Sequence, residues 1–118
     1  MTINGKEFDV DFTDADMIER VESEREKILE KCKELENNKN ISSAEGIRQE
    51  CKILKEFLDC VFGEGTSKEA FGDKDSLRDC IKAYEDTFKE MEKQQNYISN
   101  VFDKYSPDRV DRWWQIYW

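Results

Sequence analysis

Histidine is absent from this chain of 118 residues, and its cysteines never form a C-x-x-C pair. Without histidine, the chain lacks the commonest general base and every Ser/His or Cys/His nucleophile pair. The widely spaced cysteines also have no histidine to complete a mixed zinc site. We therefore expect no catalysis, no bound metal and no cofactor, with buried free thiols at Cys32, Cys51, Cys60 and Cys80.

Basic residues are too few to favour nucleic acid. The chain has 19 Lys and Arg against 28 Asp and Glu, which gives a formal net charge of -9. Such a surface repels a phosphate backbone unless a local basic patch exists. The best candidate patch, Lys104, Arg109 and Arg112, is thin. We expect no nucleic-acid partner.

Long apolar runs are missing as well. No run approaches the ~20 residues of a membrane span, and the first residues lack the basic-then-apolar order of a signal peptide. The sequence therefore predicts a cytosolic protein without a membrane partner. Its length and its 37% apolar content favour one domain, residues 1–118, with a modest core.

Residues 1–12 predict a small β-hairpin. Asn4-Gly5 suits the two positive φ angles of a type I′ turn, and Phe8, Val10 and Phe12 follow in strict alternation. A two-stranded ribbon is only marginally stable in water. Its apolar side is therefore expected to lie on the helices, unless the edge pairs with another chain.

Three main helices are predicted after the hairpin, at residues 13–36, 43–62 and 75–105. The fold class is therefore mainly α, a bundle of three main helices with a small N-terminal β-hairpin. The third helix is the most regular, and Ser106-Pro107 ends it. Its apolar positions follow a 4-3 series: Leu77, Ile81, Tyr84, Phe88, Met91, Gln95, Ile98, Phe102 and Tyr105.

The third helix is longer than a compact fold of this size. About 30 residues give a helix of ~45 Å, whereas a compact chain of this length has a diameter of ~35 Å. The helix must overhang, bend or meet a partner. Polar residues also interrupt the apolar series, Gln95 in the third helix and Arg25 in the first. They either specify register or mark places where the series reaches water.

Residues 62–75, "FGEGTSKEAFGDKD", hold three of the five glycines. A phosphate-binding P-loop needs G-x-x-x-x-G-K-[ST] after a buried strand. Here Gly63 and Gly65 precede Thr66-Ser67-Lys68, and the stretch follows a helix. We interpret it as a joint between the second and third helices that contains one short helical turn, "SKEAF".

Residues 106–118, "SPDRVDRWWQIYW", form an aromatic C-terminal tail. So many aromatic side chains at a chain end are costly to leave in water, so they either fold back as core or form an exposed docking patch. The candidate protein-interaction residues come from this tail and the third helix: Trp113, Trp114, Tyr117, Trp118, Met91, Gln95, Ile98 and Phe102.

The order of these patterns resembles small tail-module proteins of phages and prophages of Gram-positive bacteria, and is similar to tail assembly chaperones. The resemblance rests on "INGKEFDVDF" followed by "DAD", and on "FLDCVFGEGTSKEAFGDKDSLRDC" at 57–80. It continues with "AYEDTF" at 83–88 and "DKYSPDR" at 103–109, and so covers most of residues 1–109. After Arg109 the chain departs from the pattern, because "VDRWWQIYW" stands where a basic, polar continuation is expected.

The resemblance implies a helical body without catalysis that acts in the bacterial host cytoplasm. Such a protein binds the long tape-measure protein and keeps it soluble while tail tube subunits polymerise around it, and some also occur in a longer, frameshifted form. The departing aromatic end is then a docking element or the patch that closes a homo-oligomer. An alternative from another class is an acidic DNA mimic or host-directed inhibitor of a phage, which the charge of -9 would suit.

Overall fold

The computed structural model describes residues 1–38 and 40–105, which form an N-terminal hairpin followed by four helices. The predicted fold class, mainly α with a small N-terminal β-hairpin, is confirmed. The elements are β1 (Thr2–Ile3), β2 (Lys6–Glu7), α1 (Ala15–Asn37), α2 (Ser43–Phe62), α3 (Thr66–Phe71) and α4 (Leu77–Tyr105).

The hairpin turns at Asn4 and Gly5, whose φ angles of 50° and 82° are the positive pair that a type I′ turn requires. Strands β1 and β2 pair antiparallel, with Ile3 opposite Lys6. The strand pairing is shorter than the alternation of residues 8–12 predicts: β2 ends at Glu7.

The apolar residues that follow the hairpin still face the helices. Phe12 is fully buried, while Phe8 and Val10 are half-buried against the same core. The Phe12 N–H and the Val10 carbonyl bond to the Gln94 side chain of α4 and not to a second strand. The segment therefore keeps its alternating apolar residues without being part of the β-ladder.

The start of α2 shows the predicted capping. The Ser42 hydroxyl accepts a hydrogen bond from the Glu45 N–H at 3.2 Å, and α2 then spans the residues that the apolar spacing predicts. Helix α1 begins at Ala15, two residues later than predicted, and Asp14 precedes it in an extended conformation.

The glycine-rich stretch is a joint between helices. Gly63 ends α2 with φ of 119°, and Gly65, in the left-handed conformation with φ of 88°, begins the short helix α3. Side chains rarely tolerate such angles, so glycine is needed at both positions.

Helix α2 is the centre of the core and packs against α1, α3 and α4. The Phe57 ring stacks on Phe88 at 5.9 Å between centroids and meets Tyr84 edge-on at 5.1 Å. The main core cluster comprises Ile3, Phe12, Val21, Ile28, Phe57, Leu58, Val61, Ala70 and Ala83.

The most buried line on α4 differs from the predicted 4-3 series. Cys80, Ala83 and Thr87 are almost fully buried, whereas Ile81 of the series is 40% exposed. These side chains are small, so they let α4 approach its neighbours closely. The buried Thr87 hydroxyl is satisfied because it donates to the Ala83 carbonyl oxygen at 2.7 Å.

Arg25 interrupts the apolar series of α1 at the edge of the core. Its guanidinium lies 5.4 Å from the centroid of the Phe88 ring, while the residue itself is exposed. Position 25 is therefore where the apolar series of α1 reaches water. The Arg25 side chain covers one face of the Phe88 ring there.

The expectation of four buried thiols is wrong for Cys60. Cys51 and Cys80 are buried and Cys32 is half-buried, but Cys60 is exposed. Two residues along a helix turn a side chain by about 200°, so Cys60 points away from the core that Leu58 enters.

Replacing Phe57 by Ala tests the aromatic contact between α2 and α4. We expect the free energy of unfolding to fall by about 3–5 kcal/mol, because the variant loses apolar burial and leaves a cavity. Urea unfolding followed by far-UV circular dichroism measures the change. Leu29→Ala is the matched control, because Leu29 is 57% exposed and its loss should cost less than about 0.5 kcal/mol. Equal losses in the two variants would contradict the assigned core.

Candidate interaction surface on helix α4

Helix α4 extends beyond the rest of the described fold. Its 29 residues give a length of roughly 44 Å, against roughly 30 Å for the 20 residues of α2. The described chain measures 67 × 32 × 21 Å, and its radius of gyration of 19.2 Å exceeds the ~13–14 Å of a compact chain of this length. Of the three predicted outcomes, the structure shows the overhang.

Gln94 marks the level at which the overhang begins. Its Oε1 accepts the Phe12 N–H at 2.7 Å, and its Nε2 donates to the Val10 carbonyl at 3.0 Å. The N-terminal segment therefore crosses α4 at this level, just before α1 begins at Ala15. Residues 95–105 continue for roughly 16 Å beyond it.

The overhang carries a group of uncharged residues on one side, which we call the terminal face: Gln95, Ile98, Val101, Phe102 and Tyr105. Its orientation follows from helix geometry, because eighteen residues make about five whole turns. Ile98 lies eighteen residues after buried Cys80, and Tyr105 lies eighteen after buried Thr87. The terminal face is therefore a continuation of the side of α4 that enters the core.

The terminal face is open in the described structure. Ile98, Phe102 and Tyr105 are 38%, 63% and 69% exposed, and Tyr97 at its edge is 66% exposed. Most exposed apolar residues in proteins occur singly, so a continuous group of this kind is a candidate binding surface. Between residues 94 and 105 the only charged residues are Asp103 and Lys104, whose helix positions lie on the opposite side. The Lys104 ammonium nevertheless lies 5.3 Å from the centroid of the Tyr105 ring at the edge of the face.

The structure divides the residues predicted for protein interaction. Gln95, Ile98 and Phe102 lie together on the terminal face, whereas Met91 is half-buried and packs against the core. The sequence analysis omitted Val101, because a 4-3 series selects a single line of residues while the face is wider. Val101 lies eighteen residues after buried Ala83, so the eighteen-residue spacing identifies it once the buried positions are known. The tail candidates Trp113, Trp114, Tyr117 and Trp118 lie outside the described residues.

The joint between α2 and α3 does not provide a phosphate cradle. The Ser67 N–H and hydroxyl both donate to the Asp59 carboxylate, at 2.8 and 3.0 Å. A carboxylate thus occupies the donors at the start of α3, where a phosphate would need them, and its charge repels an anion.

A groove of about 550 Å³ lies between the second half of α1 and the middle of α2. Leu35 and Ile53 contribute apolar surface, while an ion pair between Lys31 and Glu56 at 2.8 Å lies at the groove. This pair is open to water, and the other charged residues of the groove, Glu34 and Lys52, are exposed as well. The groove therefore presents no enclosed, convergent set of polar groups to a small ligand.

The buried thiols are poor nucleophiles at neutral pH. Burial raises the pKa of the Cys80 thiol to about 12, and burial also raises the pKa of Cys51. Both therefore remain protonated, whereas the thiolate is the reactive form. Within residues 1–38 and 40–105, no three acidic or cysteine side chains form a group that could hold a metal ion. None of the described helices is long and apolar enough to span a membrane.

The fold and its surface thus define a mainly helical protein with one uncharged apolar face on an overhanging helix. Residues 4–114 match DUF6673, a family of unknown function, and the chain belongs to this family. Comparisons with curated proteins and with solved structures find no match.

Replacing Gln94 by Ala tests the contact that precedes the overhang. The variant leaves the Phe12 N–H and the Val10 carbonyl without their partner, so we expect the free energy of unfolding to fall by about 1–3 kcal/mol. Gln95→Ala is the control, because Gln95 is exposed and should cost less than about 0.5 kcal/mol. Urea unfolding at low protein concentration measures both, and equal stability of the two variants would contradict the role of Gln94.

Proposed function

We propose that this protein is a non-enzymatic, tail assembly chaperone-like protein that binds and shields a phage tape-measure protein in the bacterial cytoplasm. The observation that carries the proposal is the terminal face of α4, an exposed apolar surface continuous with the core side of the helix. The identity of the client rests on the resemblance of the sequence pattern to tail-module proteins.

The terminal face suits an apolar helical segment of a client. An amphipathic helix binds such a surface through apolar residues at spacings of three and four, which the face itself presents at Ile98, Phe102 and Tyr105. The net charge of -9 keeps the loaded protein dispersed, because like-charged complexes repel each other. The tail tube protein would compete for the client at the end of assembly.

The aromatic tail is a second contributor to client binding in this proposal. Trp113 and Trp114 follow the end of α4 by eight and nine residues. This closeness in sequence to the terminal face is the reason that the proposal gives these residues a part in client binding. Tryptophan and tyrosine supply many of the strongest contacts at protein interfaces.

Phe102→Glu and the double variant Trp113/Trp114→Ala test the proposal. The client is the tape-measure protein of the same genome, and light scattering follows its aggregation with and without added chain. We expect each variant to need at least about tenfold more protein for the same protection, because a charge or a lost aromatic weakens an apolar contact. Asn96→Glu is the control, since Asn96 is exposed on the other side of α4.

Full protection by both test variants would overturn the proposal. Urea unfolding of each variant accompanies the assay, so that a loss of protection is assigned to the surface only when stability is unchanged.

A row of exposed carboxylates on α1 favours a second candidate function, an acidic inhibitor that occupies a nucleic-acid-binding surface. Glu19, Glu22, Glu26 and Glu30 recur at spacings of three and four and therefore share one side of the helix. A regular row of negative charge resembles a phosphate backbone, which is how such a mimic competes with DNA.

Ionic strength separates the two functions. Binding through the terminal face should change less than about threefold between 50 and about 500 mM salt, because apolar contacts are not screened. Binding through the α1 carboxylates should fall by at least about 100-fold over the same range. Calorimetry with the tape-measure protein measures the dependence. A steep loss of affinity with salt would contradict apolar capture of this client, and no binding at any salt concentration would leave the inhibitor as the better account.

A further inference from the structure

The terminal face borders the space beyond the end of the bundle. The face continues the core side of α4, so it looks into the volume beyond the level of Gln94, next to the end of the bundle. That volume is bounded on one side by residues 95–105 over roughly 16 Å. A partner helix that covers the whole face would therefore be about three turns long and apolar on one side.

We propose that the occupant is the same segment of a second copy of this chain, paired antiparallel about Asn100. The inference concerns the chain alone and does not depend on the proposed client.

The 4-3 spacing of the face supports this pairing. Helices whose apolar residues recur every 3.5 positions pack with side chains of one between those of the other. In an antiparallel pair centred on Asn100, Ile98 lies opposite the partner's Phe102, and Gln95 lies opposite the partner's Tyr105. Asn100 is the midpoint of residues 95–105, so the pairing uses the whole overhang and ends where the bundle begins.

Steric fit favours the antiparallel direction. The bundle and the terminal face lie on the same side of α4, and packed helices are only 8–10 Å apart. In a parallel pair the two bundles would therefore occupy the same space, since the described chain measures 32 × 21 Å across its long axis. In the antiparallel pair each overhang lies beyond the end of the other bundle, and the bundles stand at opposite ends.

Charge permits the pairing at this place. Two chains of net charge -9 repel each other. Residues 94–105, however, contain only one acidic and one basic residue, Asp103 and Lys104. They cancel in net charge, and only the Lys104 ammonium approaches the terminal face, at 5.3 Å from the centroid of the Tyr105 ring. Like chains can therefore approach through the overhangs while their acidic bundles remain far apart.

The exposed area sets the strength of association. Phe102 and Tyr105 are about two-thirds exposed, and an aromatic side chain presents roughly 150–250 Å². With Ile98, two copies bury roughly 700 Å² from these residues, which is below the ~1,200 Å² of stable complexes. The pair is therefore expected to be a weak dimer, which calls for a test at high protein concentration.

Sedimentation velocity of the full chain alone, from about 10 µM to about 1 mM, tests the dimer. We expect the mass to rise from monomer to dimer for the wild type and for Asn96→Glu, which adds the same charge on the other side of α4. Phe102→Glu should associate at least about 100-fold more weakly, because each dimer would bury two unpaired carboxylates. Phe102 is exposed, so the variant should fold, and circular dichroism checks this.

A wild type that remains monomeric, or Phe102→Glu that associates like the wild type, would overturn the proposal. The variant Trp113/Trp114→Ala tests whether the tail of the same chain covers the terminal face instead of a second copy. If that variant associates more strongly than the wild type, the tail of the same chain covers the face and the proposal is wrong. Association that is lost in Trp113/Trp114→Ala but kept in Phe102→Glu would place the interface in the tail and would equally overturn it.

Disulfide trapping tests the direction of the pair. Ile98→Cys and Phe102→Cys are made separately in a Cys60→Ser background, because Cys60 is the exposed thiol among the four native cysteines. The two variants are mixed and oxidised with glutathione disulfide. The antiparallel pair predicts mixed disulfide well in excess of the share that random pairing of an equimolar mixture gives. A mixed share at or below the random one would contradict it.

Discussion

The difference in length between α2 and α4 is the constraint on which the rest of the structure depends. Helix α2 sets the height of the core, since α1, α3 and α4 all pack against it. Helix α4 is nine residues longer, or roughly 14 Å. A core that already ends at Gln94 cannot cover the remainder, so the same apolar pattern that stabilises one half of α4 is left exposed in the other half.

The contact between α2 and α4 fixes which side of the long helix is exposed. Small residues at Cys80, Ala83 and Thr87 allow close approach, and the rings of Phe57 and Phe88 stack beside them. Because a helix is rigid over this length, fixing its rotation at one end fixes it at the other. The terminal face therefore looks into the space beyond the bundle and not into solvent on the outer side.

The distribution of charge distinguishes the terminal face from the acidic bundle. A chain with 40% charged residues holds its acidic excess on the bundle and none of it on the terminal face. An apolar contact at this surface requires little desolvation of charged groups and meets little charge repulsion. A client and a second copy would use the same chemistry there, so a weak dimer is compatible with release to a client that binds more tightly.

The sequence by itself determined which elements form. Asn4-Gly5 specifies the hairpin turn, Ser42 specifies the start of α2, and the regular apolar spacing specifies the long α4. These are local effects of backbone geometry, capping and period, so they can be read without knowing the neighbours. The glycine-rich joint could be predicted for the same reason, because Gly63 and Gly65 adopt angles that other residues avoid.

Only the tertiary structure decided where α4 is buried and where it is exposed. A 4-3 series repeats every 3.5 residues while the helix turns every 3.6, so the series drifts around the helix by about 20° per heptad. Its early members include Ile81 at the edge of the buried side, where it is 40% exposed, and its later members lie nearer the centre of that side but continue past the end of the core at Ile98. The end of the core depends on Gln94 meeting Phe12, a contact between residues 82 positions apart, which no local pattern specifies.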